Sequence, residues 1–347
     1  MDIFDYSAYP TGAWLTVNRN CNFRCKWCYA KETDYVQSHS MTLSMARNIS
    51  EILFELGIKE IKLIGGEPSL WSYLFPFNDF AKEKNIQTTI ITNAFAFGLD
   101  SFWENYQKHP CTYAVNSIKG ITPEKLFQVT GVRNIEQVKT GISRSLSFHK
   151  SSGVETVCSS ITSIDELLDI ARFSKKHGAK SFLISGCNVI LSNESATNNF
   201  SMLSTDEMDK LINAYPTLNQ MFADRLEIQI TQPLCIWPKG FIDMLMNRNQ
   251  LSGPCNVQNR TGLVFDYNGD ILFCNSIFDT VIARYPQDYT NAEELIEFLN
   301  SASLKKEYSE VLRYPSEECS KCSVNYFCRG GCIANWMIMD PSICNAR

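Results

Sequence analysis

The sequence predicts an α/β fold, a partial (β/α)6 barrel followed by a cysteine-rich extension. Three observations lead there. Short apolar runs recur from residue 13 to about residue 186 and alternate with helix-periodic stretches. Runs at 58–64 and 87–92 end at Gly65-Gly66 and at Asn93, residues that punctuate a strand. Of fourteen cysteines, three lie by residue 28 and seven between Cys255 and Cys344. Strands that alternate with helices form a parallel sheet, because a parallel crossover needs a helix-length connection. Six such units make a partial barrel, with its site at the carboxyl ends of the strands.

In chain order the expected strands are 13–17, 58–64, 87–92, 112–117, 154–161 and 179–185. The stretch 43–56 is amphipathic, with Ile49, Ile52, Leu53 and Leu56 at helical spacing. Stretches 135–149 and 164–177 keep the same period; Ser163 is an N-cap and Gly178 a stop. Residues 188–199 are polar and read as the linker out of the barrel. Residues 205–222 read as a helix capped by Ser204. Strands follow at 226–230 and 263–265, and Asn268-Gly269 signals a hairpin into 271–273. Residues 291–312 read as one helix. The last 29 residues carry five cysteines and little apolar periodicity, so ligands are expected to hold them together. The expected division is 1–190 barrel, 191–254 linker helix and bridging region, and 255–347 cysteine-rich domain.

At 347 residues the chain exceeds the size at which one core usually splits. A hydrophobic content of 44% with 20% charged residues marks a globular chain. The net charge of −5 argues against nucleic-acid binding. No apolar run reaches a membrane span, and the N-terminus lacks the basic-then-apolar pattern of a signal peptide. A cytoplasmic location is expected, with no membrane partner. Disulfides are disfavoured there, so the cysteines point to metal binding or catalysis.

Cys21, Cys25 and Cys28 directly follow the first strand. Structural zinc sites close with four protein ligands, and iron–sulfur clusters take four cysteines. Three thiolates on a four-iron cluster leave one iron open; taken alone, the triad also reads as half a zinc site. Gly65-Gly66-Glu67-Pro68 follows the second strand. Glycines there let the backbone approach a ligand and proline fixes the turn, although such a turn is common in itself.

Together, Cys21-x3-Cys25-x2-Cys28, with Trp27 before the last cysteine, resembles the signature of radical S-adenosylmethionine (radical SAM) enzymes. The resemblance covers residues 14–185. It implies a [4Fe–4S] cluster on the three thiolates, with the open iron chelating S-adenosylmethionine, and reductive cleavage to a 5′-deoxyadenosyl radical. It also implies cofactor contacts at Gly65, Gly66, Glu67 and Pro68, at Asn93 after the third strand, and at Ser117 after the fourth. Ser117-Ile118-Lys119-Gly120 departs from the family's Ser-x-Asp-Gly at Lys119, so only Ser117 is carried over.

The spacing Cys255-x13-Gly269-x4-Cys274, Cys319-x2-Cys322-x5-Cys328-x3-Cys332 and Cys344 is similar to the SPASM domain, an extension that holds two auxiliary [4Fe–4S] clusters. By that resemblance Cys319, Cys322, Cys328 and Cys344 hold the distal cluster. Cys255, Cys274 and Cys332 hold the near one, with Cys235 as its expected fourth ligand. If Cys235 is a buried free thiol instead, the near cluster keeps an open iron. A zinc ribbon is the structural alternative for the tail.

The resemblance implies a peptide substrate, oxidatively crosslinked or bridged by a thioether, with the auxiliary clusters accepting an electron. The first strand starts at residue 13, so leader recognition is expected from a separate protein or by direct binding. An external electron donor such as flavodoxin or ferredoxin is implied. Sulfatase-maturing enzymes of this family use an aspartate where Asn275 stands; an amide cannot take a proton at neutral pH, and Asp279 is a nearby substitute. Cys187, after the sixth strand, is a candidate hydrogen donor for an epimerisation, or a packed thiol. A small-molecule dehydrogenase or epimerase, acting on an aminosugar for example, is the second reading. A non-redox zinc-binding protein is the third.

Overall fold

The computed structural model describes residues 10–33, 35–192, 195–198, 200, 204–253, 255–311, 315–337, 339, 340 and 344. Strands β1 (Gly12–Asn18), β2 (Glu60–Gly65), β3 (Gln87–Thr92), β4 (Tyr113–Ile118), β5 (Gly153–Cys158) and β6 (Ser181–Gly186) lie side by side in chain order, all parallel. The six expected strands are therefore present. β5 stops three residues early because residues 159–162 close a turn, with Thr162 Oγ1 accepting from the Ser159 amide at 3.1 Å.

Between the strands run α1 (Leu43–Glu55), α2 (Leu74–Glu83), α3 (Asp100–Tyr106), α4 (Pro123–Thr130), α5 (Ile135–Phe148) and α6 (Ile164–Lys176). Local chemistry fixes their ends. Thr42, Thr122, Asn134 and Ser163 each accept an amide hydrogen of the first turn. α6 also carries Asp165 and Glu166 at its start and Lys175 and Lys176 at its end, matching the helix dipole. Leu15, Leu63, Ile90, Ala114, Val154 and Phe182 from six successive strands are buried in one continuous core with Leu53, Phe77 and Ile142 from the helices.

The stretch expected as a linker carries a small hairpin, β7 (Ile190–Ser192) and β8 (Ser195–Asn198). At three and four residues the two strands are too short to show a period, although Ile190 and Leu191 are buried and the Leu191 amide donates to the Ser276 carbonyl at 2.8 Å. α7 (Thr205–Phe222) begins in a reciprocal capping box of Ser204 and Glu207. It leads to β9 (Leu226–Gln229), which pairs parallel with β6, and then to α8 (Lys239–Asn247). On the other edge, β10 (Gly262–Phe265) pairs parallel with β1. β11 (Ile271–Cys274) and β12 (Ile277–Ala283) continue antiparallel, giving an open sheet in the order β12-β11-β10-β1-β2-β3-β4-β5-β6-β9. The six-strand barrel is thus extended by a parallel strand at each edge. Asn268-Gly269 does sit in the β10–β11 loop, with Gly269 at φ 89°. Arg19, 1% exposed, pairs with Asp266 of that loop at 2.7 Å and ties it to β1.

The single helix expected over 291–312 is two, α9 (Ala292–Leu299) and α10 (Ala302–Val311). Asn300 caps the first, and the Ser301 hydroxyl accepts from the Leu304 amide to start the second. Leu312, the end of that expectation, lies outside the described residues. α11 (Asn325–Cys328) is one turn amid the tail cysteines. Among the described residues no helix is long and apolar enough to cross a membrane.

Candidate active site

The carboxyl ends of the parallel strands surround a cavity of about 350 Å³. Ligands of open parallel sheets bind at this end, where the strand-to-helix loops converge. Its lining includes Cys21, Cys25 and Cys28, the Gly65-Gly66-Glu67 turn, Asn93, Ser117, Lys119, Glu155, Cys187, Gln229 and Asn275. Every residue expected at the radical SAM site lines this cavity except Pro68, which is buried in the turn behind Glu67.

The cysteine loop is held from two sides. The Arg24 and Lys26 amides donate to the Thr130 and Val129 carbonyls at the end of α4. The Phe23 amide donates to Cys21 Sγ at 3.3 Å, and the Tyr29 hydroxyl donates to the Gly65 carbonyl at 2.8 Å. Burial raises the Cys21 thiol pKa, with the Glu67 carboxylate adding to it. Cys25 is pushed up to about 12, again by burial, against a downward pull from Lys119. The free Cys21 and Cys25 thiols stay protonated at neutral pH, so binding a metal centre there would release protons.

The glycines of the turn line the cavity and also make room for neighbouring backbone. A Cβ on Gly66 would collide with the Asn20 carbonyl, and one on Gly65, at φ 149°, with that of Asn18. The missing side chains let β2 press against the end of β1, and so they set the position of the cysteine loop. Glu67 is 2% exposed and accepts from the Ser69 amide (3.0 Å), the Ser69 hydroxyl (2.6 Å), the Thr92 hydroxyl (2.6 Å) and the Asn93 amide (2.8 Å). Burial raises its carboxyl pKa and those donors oppose the rise. Its carboxylate locks the β2 turn to the end of β3. Asn93 then donates to Asn22 Oδ1 at 2.8 Å and links the turn to the cysteine loop.

Ser117 accepts from Lys119 Nζ at 2.5 Å, so the residue that departs from the family pattern shares the serine's place in the cavity. Cys187 is 2% exposed. Burial pushes its thiol up to about 12, with Cys158 adding and Lys119 opposing. Two cavity residues, Glu155 and Gln229, escaped the sequence reading. Glu155 Oε1 accepts from the Ser185 hydroxyl at 2.8 Å. Its signal was an acid at an inward position of a strand, where an apolar residue is the rule. Asp279, weighed as a proton acceptor, is exposed on β12 and does not line the cavity. Asn188 and Asn275 each present a buried side-chain oxygen with no protein partner, so the wall they form suits a polar ligand.

The tail cysteines fall into two groups. Cys274 and Cys332 are raised first by burial, Cys274 to about 11. Cys255 raises Cys274 further, and Cys274 and Cys255 both raise Cys332, so these three thiols lie together. Cys274 immediately precedes Asn275 and Ser276 of the cavity wall. Cys319, Cys322 and Cys328 line a separate small cleft, and Cys235 lines it with them. Cys344 is pushed up to about 12 by burial, with Cys235 and Cys319 adding to the rise. This corrects the expected pairing of Cys235 with Cys255, Cys274 and Cys332. The segment after β9 runs close along the tail, where the Cys332 amide donates to the Thr231 carbonyl at 2.7 Å. It then carries Cys235 past Cys332 to the side of Cys328, whose sulfur accepts from the Leu234 amide at 3.3 Å. The near group keeps three thiols among the described residues.

Comparison with known proteins agrees with this geometry. Residues 15–174 match the family model of the radical SAM superfamily. GTP 3′,8-cyclase of Haemophilus influenzae strain PittEE is 24% identical over 264 residues, 74% of this chain and 68% of that protein. A probable GTP 3′,8-cyclase of Thermococcus kodakarensis is 23% identical, and the match covers 51% of this chain and 57% of that protein. Streptococcus suis SuiB bound to precursor peptide SuiA superposes with a TM-score of 0.72 at 17% identity, over 98% of this chain and 77% of that one. anSMEcpe with bound AdoMet gives 0.67 at 18% identity, over 93% and 89%. The fold of both barrel and extension is thus shared with solved enzymes, in one of which S-adenosylmethionine is bound. The matched residues include most of the strand ends that build the cavity, and over 15–174 the chain carries a radical SAM domain, a family whose members use S-adenosylmethionine and a [4Fe–4S] cluster.

Proposed function

We propose that this enzyme abstracts a hydrogen atom from a peptide substrate and completes a two-electron oxidation, giving a crosslink, a thioether or a similar bond. The observation that carries the reading is the placement of the thiols: a triad in the cavity, a second group joined to the cavity wall through Cys274-Asn275, and a third beyond it. The fold shared with SuiB, which binds its precursor peptide SuiA, supports a peptide substrate.

In this reading Cys21, Cys25 and Cys28 hold a [4Fe–4S] cluster, and Gly65 to Pro68, Asn93 and Ser117 shape the seat of S-adenosylmethionine. The bound pair supplies a 5′-deoxyadenosyl radical by reductive cleavage of the sulfonium. Cys21 and Phe23 are buried at the base of the loop, and the Glu67 lock keeps the two halves of the seat in register. The substrate gives up one hydrogen atom to the radical, then one proton and one electron. Glu155 is the cavity carboxylate placed to take the proton. Cys255, Cys274 and Cys332 would hold the near auxiliary cluster, which would supply the acceptor for that electron.

The cyclase relatives favour a second reading, a small-molecule substrate. There Cys187 returns a hydrogen atom to the product radical, for which its pKa of about 12 keeps the S–H intact. A zinc protein is the third class.

Anaerobically reconstituted protein should hold about twelve irons per chain with matching sulfide. With S-adenosylmethionine and reductant it should release 5′-deoxyadenosine, and a peptide encoded beside its gene should lose two hydrogens. Consumption of GTP or a sugar with the peptide untouched moves the assignment to the second reading. Zinc in place of iron moves it to the third. Intact clusters without 5′-deoxyadenosine overturn the radical chemistry.

A further inference from the structure

We propose that the outer face of the cysteine loop is the docking surface for an acidic one-electron carrier protein, which delivers the electron that starts the reaction. The inference rests on the reductive cleavage in the reading above and is independent of the substrate.

The chain carries a net charge of −5, yet residues 24–31 contain three cations, Arg24, Lys26 and Lys31, and no acid. The next acids in the chain, Glu32 and Asp34, come after the three cysteines. All three cations are exposed and none lines the cavity, although Cys25, Trp27 and Cys28 between them do. The loop thus has two faces, one of cysteines toward the cavity and one of cations toward solvent. The Arg24 and Lys26 amides donate to the Thr130 and Val129 carbonyls at 2.9 and 3.1 Å, which seats the loop on the end of α4. Arg133 follows three residues later and adds a fourth exposed cation. Its guanidinium lies 3.6 Å from the ring centre of Phe127, which is 41% exposed. Arg24 is held in place, with Nη1 donating to the Cys21 and Phe23 carbonyls at 2.5 and 2.8 Å. Among the described residues none of the four cations is ion-paired.

Cations gathered on one face of an acidic protein raise the local potential and steer a negatively charged partner. A carrier has to come close to the centre it reduces, and the cavity side is taken by cofactor and substrate. On the outer face only the backbone of the loop stands between a docked protein and Cys25, which Arg24 and Lys26 flank. Phe127 supplies apolar contact within a small interface of the kind transient redox partners form. On docking, the reduced carrier loses one electron and the centre held by Cys21, Cys25 and Cys28 gains it; no atom crosses the interface.

The test titrates the reconstituted holoenzyme with an acidic flavodoxin by calorimetry at low salt, for wild type and K26Q/K31Q/R133Q. The triple variant is expected to bind about 10-fold more weakly, and the difference should shrink at about 0.5 M salt. Release of 5′-deoxyadenosine driven by reduced flavodoxin should fall with the affinity, while release driven by dithionite, which needs no docking, stays at the wild-type rate. Wild-type affinity in the variant overturns the proposal. So does a raised KM for the peptide with flavodoxin binding intact, which assigns the patch to the substrate. If the triple variant loses iron, R133Q, outside the cysteine loop, is scored alone, and unchanged flavodoxin binding there overturns the proposal. Wild-type protein with intact clusters that releases no 5′-deoxyadenosine even with dithionite overturns the radical reading itself, and so separates the two failures.

Discussion

At the residue scale, the cavity is asymmetric in charge. Lys119 and Glu155 enter it from neighbouring strands, and Ser117 and Glu155 are register partners across β4 and β5. A cation and an acid at adjacent strand ends can hold a substrate dipole and move one proton. Replacing Glu155 with Gln keeps the shape and the contact with Ser185 but removes the basic oxygen. Product formation by E155Q should fall about 100-fold in kcat with KM nearly unchanged, the usual weight of a general base. Release of 5′-deoxyadenosine should continue, because that step does not need the proton acceptor. Unchanged product kcat would show that the proton leaves by another route. Glu67, by contrast, accepts three bonds on Oε1 and one on Oε2, which commits its carboxylate to holding the β2 turn against the end of β3. The two carboxylates of the cavity are thus separated in role by their partners: one positions, the other is available.

At the element scale, the loop after β3 is held from behind by α5. A Cβ on Gly141 would overlap the Ala94 carbonyl oxygen and stand 2.9 Å from the Gly98 amide, and one on Gly98 would overlap the Gln137 carbonyl. Helix and loop are glycine-on-backbone, one residue from Asn93. In an exposed helix Gly→Ala gains about 1 kcal/mol. Here the sign should reverse, with G141A losing about 2 kcal/mol to overpacking. Urea unfolding decides it: a neutral or raised midpoint would mean that α5 yields without cost. The same scale explains what the sequence could reveal. Buried parallel strands read as unbroken apolar runs, so β1 to β6 were legible. The break between α9 and α10 was not, because the apolar spacing continues through Asn300-Ser301 and only a serine cap marks it. β7 and β8 are only three and four residues long, and β12 shows no clean period. The triad, the Gly-Gly-Glu-Pro turn and Asn93 were legible because they are local motifs at strand ends. Glu155 and Gln229 were not, because their place depends on which face of a strand turns inward. The position of Cys235 depends on a contact with the tail some 90 residues away, which no local pattern encodes.

At the scale of the whole molecule, function requires that the extension be docked on the barrel, since the proposed electron path crosses from one to the other. The barrel contributes β9 and its following segment, and the extension returns β10 to the opposite edge of the same sheet. Asn335 is the rivet between them. It is fully buried, its amide donates to the Thr231 carbonyl at 3.0 Å and hydroxyl at 3.3 Å, and its oxygen accepts from the Val189 amide at 3.2 Å. One side chain therefore joins the ends of β6 and β9 to the tail, three residues from Cys332. In N335A the Thr231 carbonyl keeps the Cys332 amide, but the Val189 amide is left buried and unpaired. That penalty is about 2 kcal/mol, and it falls on opening of the tail more than on the barrel core. Amide exchange at Val189 and Cys332 should accelerate roughly 30-fold, while the amides of β2 to β5 keep their protection. Acceleration spread evenly over the sheet would mean that barrel and extension open as one unit. Exchange unchanged at both sites would mean that the iron-binding thiols, and not Asn335, hold the tail in place.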